Sequence, residues 1–189
     1  MGFGVIILAG GRSSRMGADK AVLDWGGRRA VDRLADLAGG LGSAMVVTAG
    51  PVAYGLPFVA DDPPGGGPVA GIAAASVLLA RAGCARALVL AVDAPTVARE
   101  DLAPLLAAPG PGACYAGLHL PLAIDLAALP ADAGAGWSMF RLIETAGIAR
   151  LDCPDGALAR LRGANTPEER EILLAGLPTA DPAQKGGAG

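Results

Sequence analysis

From Phe3 to Leu8 the chain places apolar residues in succession rather than in alternation, the pattern of a strand buried on both faces. Shorter runs of the same kind follow at Ala44 to Thr48, Phe58 to Ala60 and Ala87 to Val92. Between them the apolar positions change to helical spacing, over about Ala30 to Leu41 and over Val69 to Ala82, the second just behind the Pro/Gly cluster PPGGGP at 63–68. Strand and helix alternate, which predicts an α/β protein with a largely parallel sheet covered on both faces. Beyond Arg99 the same reading gives a helix near Glu100 to Ala107, strands near Ala113 to Ala116 and Pro121 to Ile124, a helix near Trp137 to Thr145 and a short strand near Ala149 to Asp152. Thr166, Pro167 and Glu169 spell a helix start, with Thr as N-cap, Pro at the first position and Glu reaching back; that helix runs to about Ala175.

The chain has 189 residues, enough for one well-buried domain and short for two. One domain over 1–177 is expected. The segment PTADPAQKGGAG at 178–189 has little to bury and reads as a disordered tail. Although 52% of residues are hydrophobic, the apolar runs stay below the roughly 18 residues of a membrane span. With no signal-peptide pattern at the amino terminus, the expectation is a cytoplasmic protein without membrane contact. Cys84, Cys114 and Cys153 are odd in number and far apart, with no metal-ligand spacing, so they read as reduced thiols. A net charge of -3 and an aromatic content of 4% argue against nucleic acid as a partner, which needs a basic face and stacking platforms.

One stretch departs from this acidic background. LAGGRSSRMGADK, residues 8–20, follows the first strand directly and gathers Gly10, Gly11, Arg12, Arg15 and Lys20. In α/β sheets ligands collect beyond the carboxyl ends of the strands, and the first turn is the usual phosphate cradle. Glycines there let main-chain N–H groups approach an anion, and the cations add charge where glycine adds room. A triphosphate meets both conditions; a tight turn with surface cations meets them too. The spacing satisfies neither the Walker A loop nor the GxGxxG dinucleotide fingerprint. Asp93 closes the apolar run RALVLAV, where a carboxylate is costly without a partner. Mg²⁺ with phosphate oxygens is one partner; a turn-capping role is the other.

The pattern LAGGxSxRMGxDK resembles the amino-terminal motif of the MobA-like nucleotidyltransferases, and within that family its molybdenum cofactor guanylyltransferases. The resemblance continues through VADDPPGGGPVAGI at 59–72, VLAVDAPTV at 89–97 and ANTPEE at 164–169. It implies a three-layer α/β/α, Rossmann-like nucleotidyltransferase fold with a mostly parallel mixed sheet. It also implies transfer of GMP from Mg·GTP to the terminal phosphate of molybdopterin carrying molybdenum, with transient contacts to the proteins that make or receive that cofactor. The alternatives are a relative using CTP or another nucleotide with a different phosphorylated acceptor, and a non-catalytic nucleotide-binding assembly protein.

Carried onto this chain, the resemblance makes Leu8, Ala9, Gly10 and Gly11 the nucleotide-lining segment. Lys20 and Arg15 become the phosphate cations, and Asp93 the metal-binding aspartate. Asp61, the first of the Asp61-Asp62 pair, matches a nucleotide-binding aspartate. Asn165 matches a further metal or substrate ligand, or stands beside the Thr166 cap as a bystander. Thr48 stands where relatives can carry an asparagine that reads guanine, whereas Gly10 gives the LAGG form rather than the LAAG of cytidylyl relatives. Trp137 and Ser138 fall near a segment where relatives often carry arginines, and Gly163 replaces a second polar residue that some relatives have; both departures fall on the acceptor side. His119, the only histidine, reads as incidental.

Overall fold

The computed structural model describes residues 2–10, 19–60 and 63–177. Strands β1 (Gly2–Leu8), β2 (Met45–Gly50), β3 (Phe58–Ala60), β4 (Cys84–Ala91), β5 (Gly112–Tyr115), β6 (Leu122–Asp125) and β7 (Ala149–Leu151) form one sheet in the order β3-β2-β1-β4-β6-β5-β7. All run parallel except β6, which lies antiparallel to both β4 and β5. A parallel neighbour needs a long crossover, and the short link from Tyr115 to Leu122 permits only reversal. The mixed sheet implied by the family resemblance is therefore present.

The helices are α1 (Ala30–Gly40), α2 (Pro68–Arg81), α3 (Arg99–Ala107), α4 (Met139–Thr145), α5 (Leu158–Arg162) and α6 (Pro167–Ala175). Successive side chains of β1 point to opposite faces. Val5 and Ile7 join a core with Val31 and Leu34 of α1, Leu102 and Leu105 of α3 and Leu161 of α5. Ile6 and Leu8 join a second core with Val69, Ile72 and Leu79 of α2 and Leu142 and Ile143 of α4. Both faces of β1 are thus dry, which is why its sequence does not alternate. Gly4 makes the second contact possible, since a Cβ there would collide with the Leu79 side chain.

Each element expected from the sequence is present, and the differences have local causes. The helix expected from Trp137 begins at Met139 because Ser138 takes the N-cap, accepting a hydrogen bond from Arg141 N at 3.0 Å. Strand β2 runs two residues further, to Gly50, because it pairs with β1 on one side and β3 on the other. Helix α5 has no counterpart among the expected elements: five residues with Leu161 as the single buried position are too few to show a period. Among the described residues no helix is long and apolar enough to cross a membrane. The tail expected beyond residue 177 lies outside the described residues.

An ion pair to a buried carboxylate holds α5 in place. Asp101, only 1% exposed, accepts from Ala98 N at 2.9 Å at the start of α3. It also accepts from Arg160 of α5, Nε at 3.0 Å and a terminal nitrogen at 2.7 Å. The hydroxyl of Tyr115 on β5 donates to the Asp101 carbonyl at 2.6 Å. Two parallel charge-assisted bonds fix direction as well as distance. Removing the arginine would strand a desolvated carboxylate, so Arg160→Ala is expected to destabilise the fold by about 3 kcal/mol, measured by urea unfolding. A loss below about 0.5 kcal/mol, the scale of an ordinary surface substitution, would show that the pair does not hold α5.

Candidate active site

The first strand ends in a cavity of about 580 Å³ lined by Leu8, Ala9, Gly10, Lys20, Ala49, Ala91, Val92, Asp93 and Leu120, with Pro64, Gly65, Gly67, Pro68 and Gly71 closing it from the α2 side. It lies at the carboxyl ends of β1, β2 and β4, where open α/β sheets bind ligands. Main-chain bonds fix its floor: Ala9 N donates to Ala49 O at 2.8 Å and Val92 N to Leu8 O at 3.2 Å. Gly50 lets these chains approach, since a Cβ there would lie 2.9 Å from Ala9 C and 3.0 Å from Gly10 N. Gly67, with φ of 87°, turns the chain into α2, and Pro68 occupies the first helical position, where its missing N–H is not needed.

Lys20 reaches this space from a short 3-10 turn, Lys20–Val22. Asp19 caps that turn by accepting from Ala21 N at 2.9 Å, and the Tyr54 hydroxyl donates to its other oxygen at 2.7 Å. Burial and the Asp19 charge push the Tyr54 phenol far above its ordinary pKa, so it stays a donor. The Lys20 ammonium donates to Ala164 O at 3.3 Å and Asn165 Oδ1 at 3.2 Å, and stands 4.0 Å from an Asp93 carboxylate oxygen. Asp93 is half-buried, and burial pushes its carboxyl above the usual carboxylate range while Lys20 pulls it partly back. Its main chain is gripped as well, because Ala164 N donates to Asp93 O at 2.8 Å. Gly163, with φ of 68°, sits so close that any Cβ would collide with the Asp93 carbonyl. Beyond it, Thr166 and Glu169 close the expected capping box.

A second cavity of about 360 Å³ shares Ala91, Asp93 and Leu120 with the first. Its remaining wall includes Val97, Leu118, His119, Pro121, Met139, Leu161 and Arg162. Asp93 therefore stands where two adjoining spaces meet.

The structure brings Leu8, Ala9, Gly10, Lys20 and Asp93 to the first cavity and joins Asn165 to them through Lys20. Gly11, Arg15 and Asp61 lie outside the described residues. Thr48 requires a correction: it is fully buried, its hydroxyl donates to Pro57 O at 3.3 Å, and it does not line the cavity. Strand alternation is the cause. Thr48 pairs with Ile7 and shares its face, while Ala49 pairs with Leu8 and faces the ligand side. Gly163, read from the sequence as a missing polar residue, is a packing requirement of Asp93. His119, read as incidental, and Arg162, which no sequence signal singled out, both line the second cavity.

Among the described residues no three His, Cys, Asp or Glu side chains converge as a metal cage. Asp93, with the Asn165 amide oxygen across Lys20, is the donor set on offer. One carboxylate with most positions left to phosphate and water is the habit of Mg²⁺ rather than of zinc.

Known proteins resemble the chain along most of its length. It is 34% identical over 181 residues to the molybdenum cofactor guanylyltransferase of Xanthomonas euvesicatoria pv. vesicatoria, covering 89% of this chain and 93% of that protein. It is 32% identical over 176 residues to the probable molybdenum cofactor guanylyltransferase of Deinococcus radiodurans, covering 90% and 82%. Among solved structures, the molybdopterin-guanine dinucleotide biosynthesis protein A of Archaeoglobus fulgidus superposes with a TM-score of 0.63 at 19% identity, covering 91% of this chain and 97% of that one. The 2-C-methyl-D-erythritol 4-phosphate cytidylyltransferase of Thermus thermophilus gives 0.60, also at 19%, covering 93% and 98%. These likenesses show the nucleotidyltransferase fold. Residues 5–138 match the MobA-like NTP transferase domain, and the chain belongs to that family.

Proposed function

We propose that this protein transfers GMP from Mg·GTP to the terminal phosphate of molybdopterin carrying molybdenum, forming the guanine dinucleotide of the cofactor and releasing pyrophosphate. The observation that carries this reading is the meeting of two cavities at Asp93, with Lys20 against it, in a chain that aligns nearly end to end with a protein named molybdenum cofactor guanylyltransferase. Guanine as the base rests on that relative's name and on Gly10 of the LAGG motif. The use of GTP and the three free thiols of Cys84, Cys114 and Cys153 fit a cytoplasmic setting.

In this reaction an acceptor phosphate oxygen bonds to the α-phosphorus of GTP, the bond from that phosphorus to its bridging oxygen breaks, and the electron pair leaves with pyrophosphate. The acceptor oxygen is already anionic, so no general base is needed, and positioning and charge neutralisation do the catalysis. Asp93 and Asn165 would hold Mg²⁺, which when bound neutralises phosphate charge and orients the triphosphate. The Lys20 ammonium, steadied by Ala164 and Asn165, donates to a phosphate oxygen as a compact charge. The Gly10 main chain borders the same anion, and Gly11, Arg15 and Asp61 are the further contributors that the motif implies, Asp61 toward the base or ribose.

Binding of GTP, CTP, ATP and UTP in the presence of Mg²⁺ tests the nucleotide half of this reading. GTP is expected to bind selectively, and Lys20→Ala to weaken it by about tenfold or more, as for loss of one hydrogen bond to a charged group. A preference for CTP would overturn guanine, and no binding of any nucleotide would overturn the site.

Asp93→Asn separates function from stability. The folded-state pKa of Asp93 lies above its unfolded value, so the fold prefers the neutral carboxyl, and ionisation costs stability as pH rises through that range. The amide is therefore expected to unfold at the same or a higher temperature than wild type at pH 7, with any gain vanishing near pH 4. Transfer should fall about 100-fold or more, the scale of losing a main electrostatic group. A lowered melting temperature at pH 7 with retained turnover would contradict the assignment.

A further inference from the structure

We infer that the second cavity seats the acceptor and that Arg162, with His119 on the same wall, binds the acceptor's phosphate. The inference rests on the nucleotidyl-transfer reading and assigns the half of the site that the motif leaves blank. The cavity touches the first only through Ala91, Asp93 and Leu120, so its occupant borders the nucleotide across the Asp93 carboxylate. Its wall is otherwise apolar, with Val97, Leu118, Met139 and Leu161, apart from two basic side chains, His119 and Arg162. An occupant suited to such a wall packs its body on the apolar side chains and turns one anionic end to the basic ones, as a phosphate monoester would.

Arg162 is suited to that anion by what it does not do. Arg28, Arg29, Arg86, Arg141, Arg150 and Arg160 each pair with a carboxylate; Arg162 has no ion pair or hydrogen bond among the described residues. The helix carrying it is nevertheless fixed at two points. Arg160 is locked to Asp101, and Gly163 and Ala164 are seated on the Asp93 main chain. An exposed arginine on a fixed stem offers a planar donor fork at little ordering cost. The nearby alternative on α4 is occupied, since Arg141 lies 3.7 Å over the Trp137 ring and 3.8 Å from Asp132.

The test is equilibrium binding of the phosphorylated molybdopterin acceptor, without nucleotide, to the full chain and to Arg162→Ala, Arg162→Lys and His119→Gln, with GTP binding measured in parallel. Arg162→Ala is expected to weaken the acceptor by about tenfold to a hundredfold, the range for hydrogen bonds to a charged group. Arg162→Lys should recover part of that loss, His119→Gln should cost less, and GTP affinity should stay unchanged in all three. Unaltered acceptor binding in Arg162→Ala overturns the inference, as does failure of the wild type to bind the acceptor while it binds GTP. A parallel loss of GTP affinity would place Arg162 on the nucleotide instead. Failure of the wild type to bind GTP strikes the nucleotidyl-transfer reading itself, and this assignment with it.

Discussion

Strand β4 delivers a carboxylate, Asp93, to the point where two cavities meet, and burial there makes its charge costly unless cations come to it. Much of the surrounding structure answers that constraint. Lys20 approaches from the first loop, held by a turn that Asp19 caps and Tyr54 braces. From the far end of the chain, Gly163 and Ala164 grip the same residue by its main chain, and Asn165 shares the lysine. Segments more than 140 positions apart in sequence are thereby brought together around Lys20 and Asp93. A group left this uncomfortable in the free protein is suited to a ligand that brings positive charge with it.

The sheet makes that convergence possible. With β1 dry on both faces and paired with β2 and β4, Ala9 and Gly10 follow it directly, and their main chain borders the first cavity. The second cavity depends on a different support. Its α5 wall has only Leu161 in the core, so the pairing of Arg160 with the buried Asp101 carboxylate sets its direction. Neither Asp101 nor Arg160 lines the cavity, whereas Arg162 of the same helix does.

The strands and long helices were legible in the sequence because burial writes a period or an unbroken apolar run. The first cavity was legible because its residues lie in contiguous stretches: Leu8 to Gly10, Lys20 and Asp93 fall in motifs with fixed spacing. What sequence reading missed depends on contacts between distant segments. Thr48 faces away from the first cavity because a strand's facing is set by its partner's register, which neighbouring letters do not give. Gly163 looked like a lost functional group, yet the Asp93 carbonyl excludes any side chain there. His119 and Arg162 lie on a loop and on a five-residue helix, and only folding brings them to one wall.

The most direct test of the account is acceptor-dependent release of pyrophosphate from Mg·GTP by the purified protein, with the nucleotide product identified by mass. The account predicts no appreciable release with GTP alone, and release in step with guanine dinucleotide formation once the phosphorylated molybdopterin acceptor is added. Absence of product with GTP and acceptor both present, or a dinucleotide formed from CTP in preference to GTP, would contradict it.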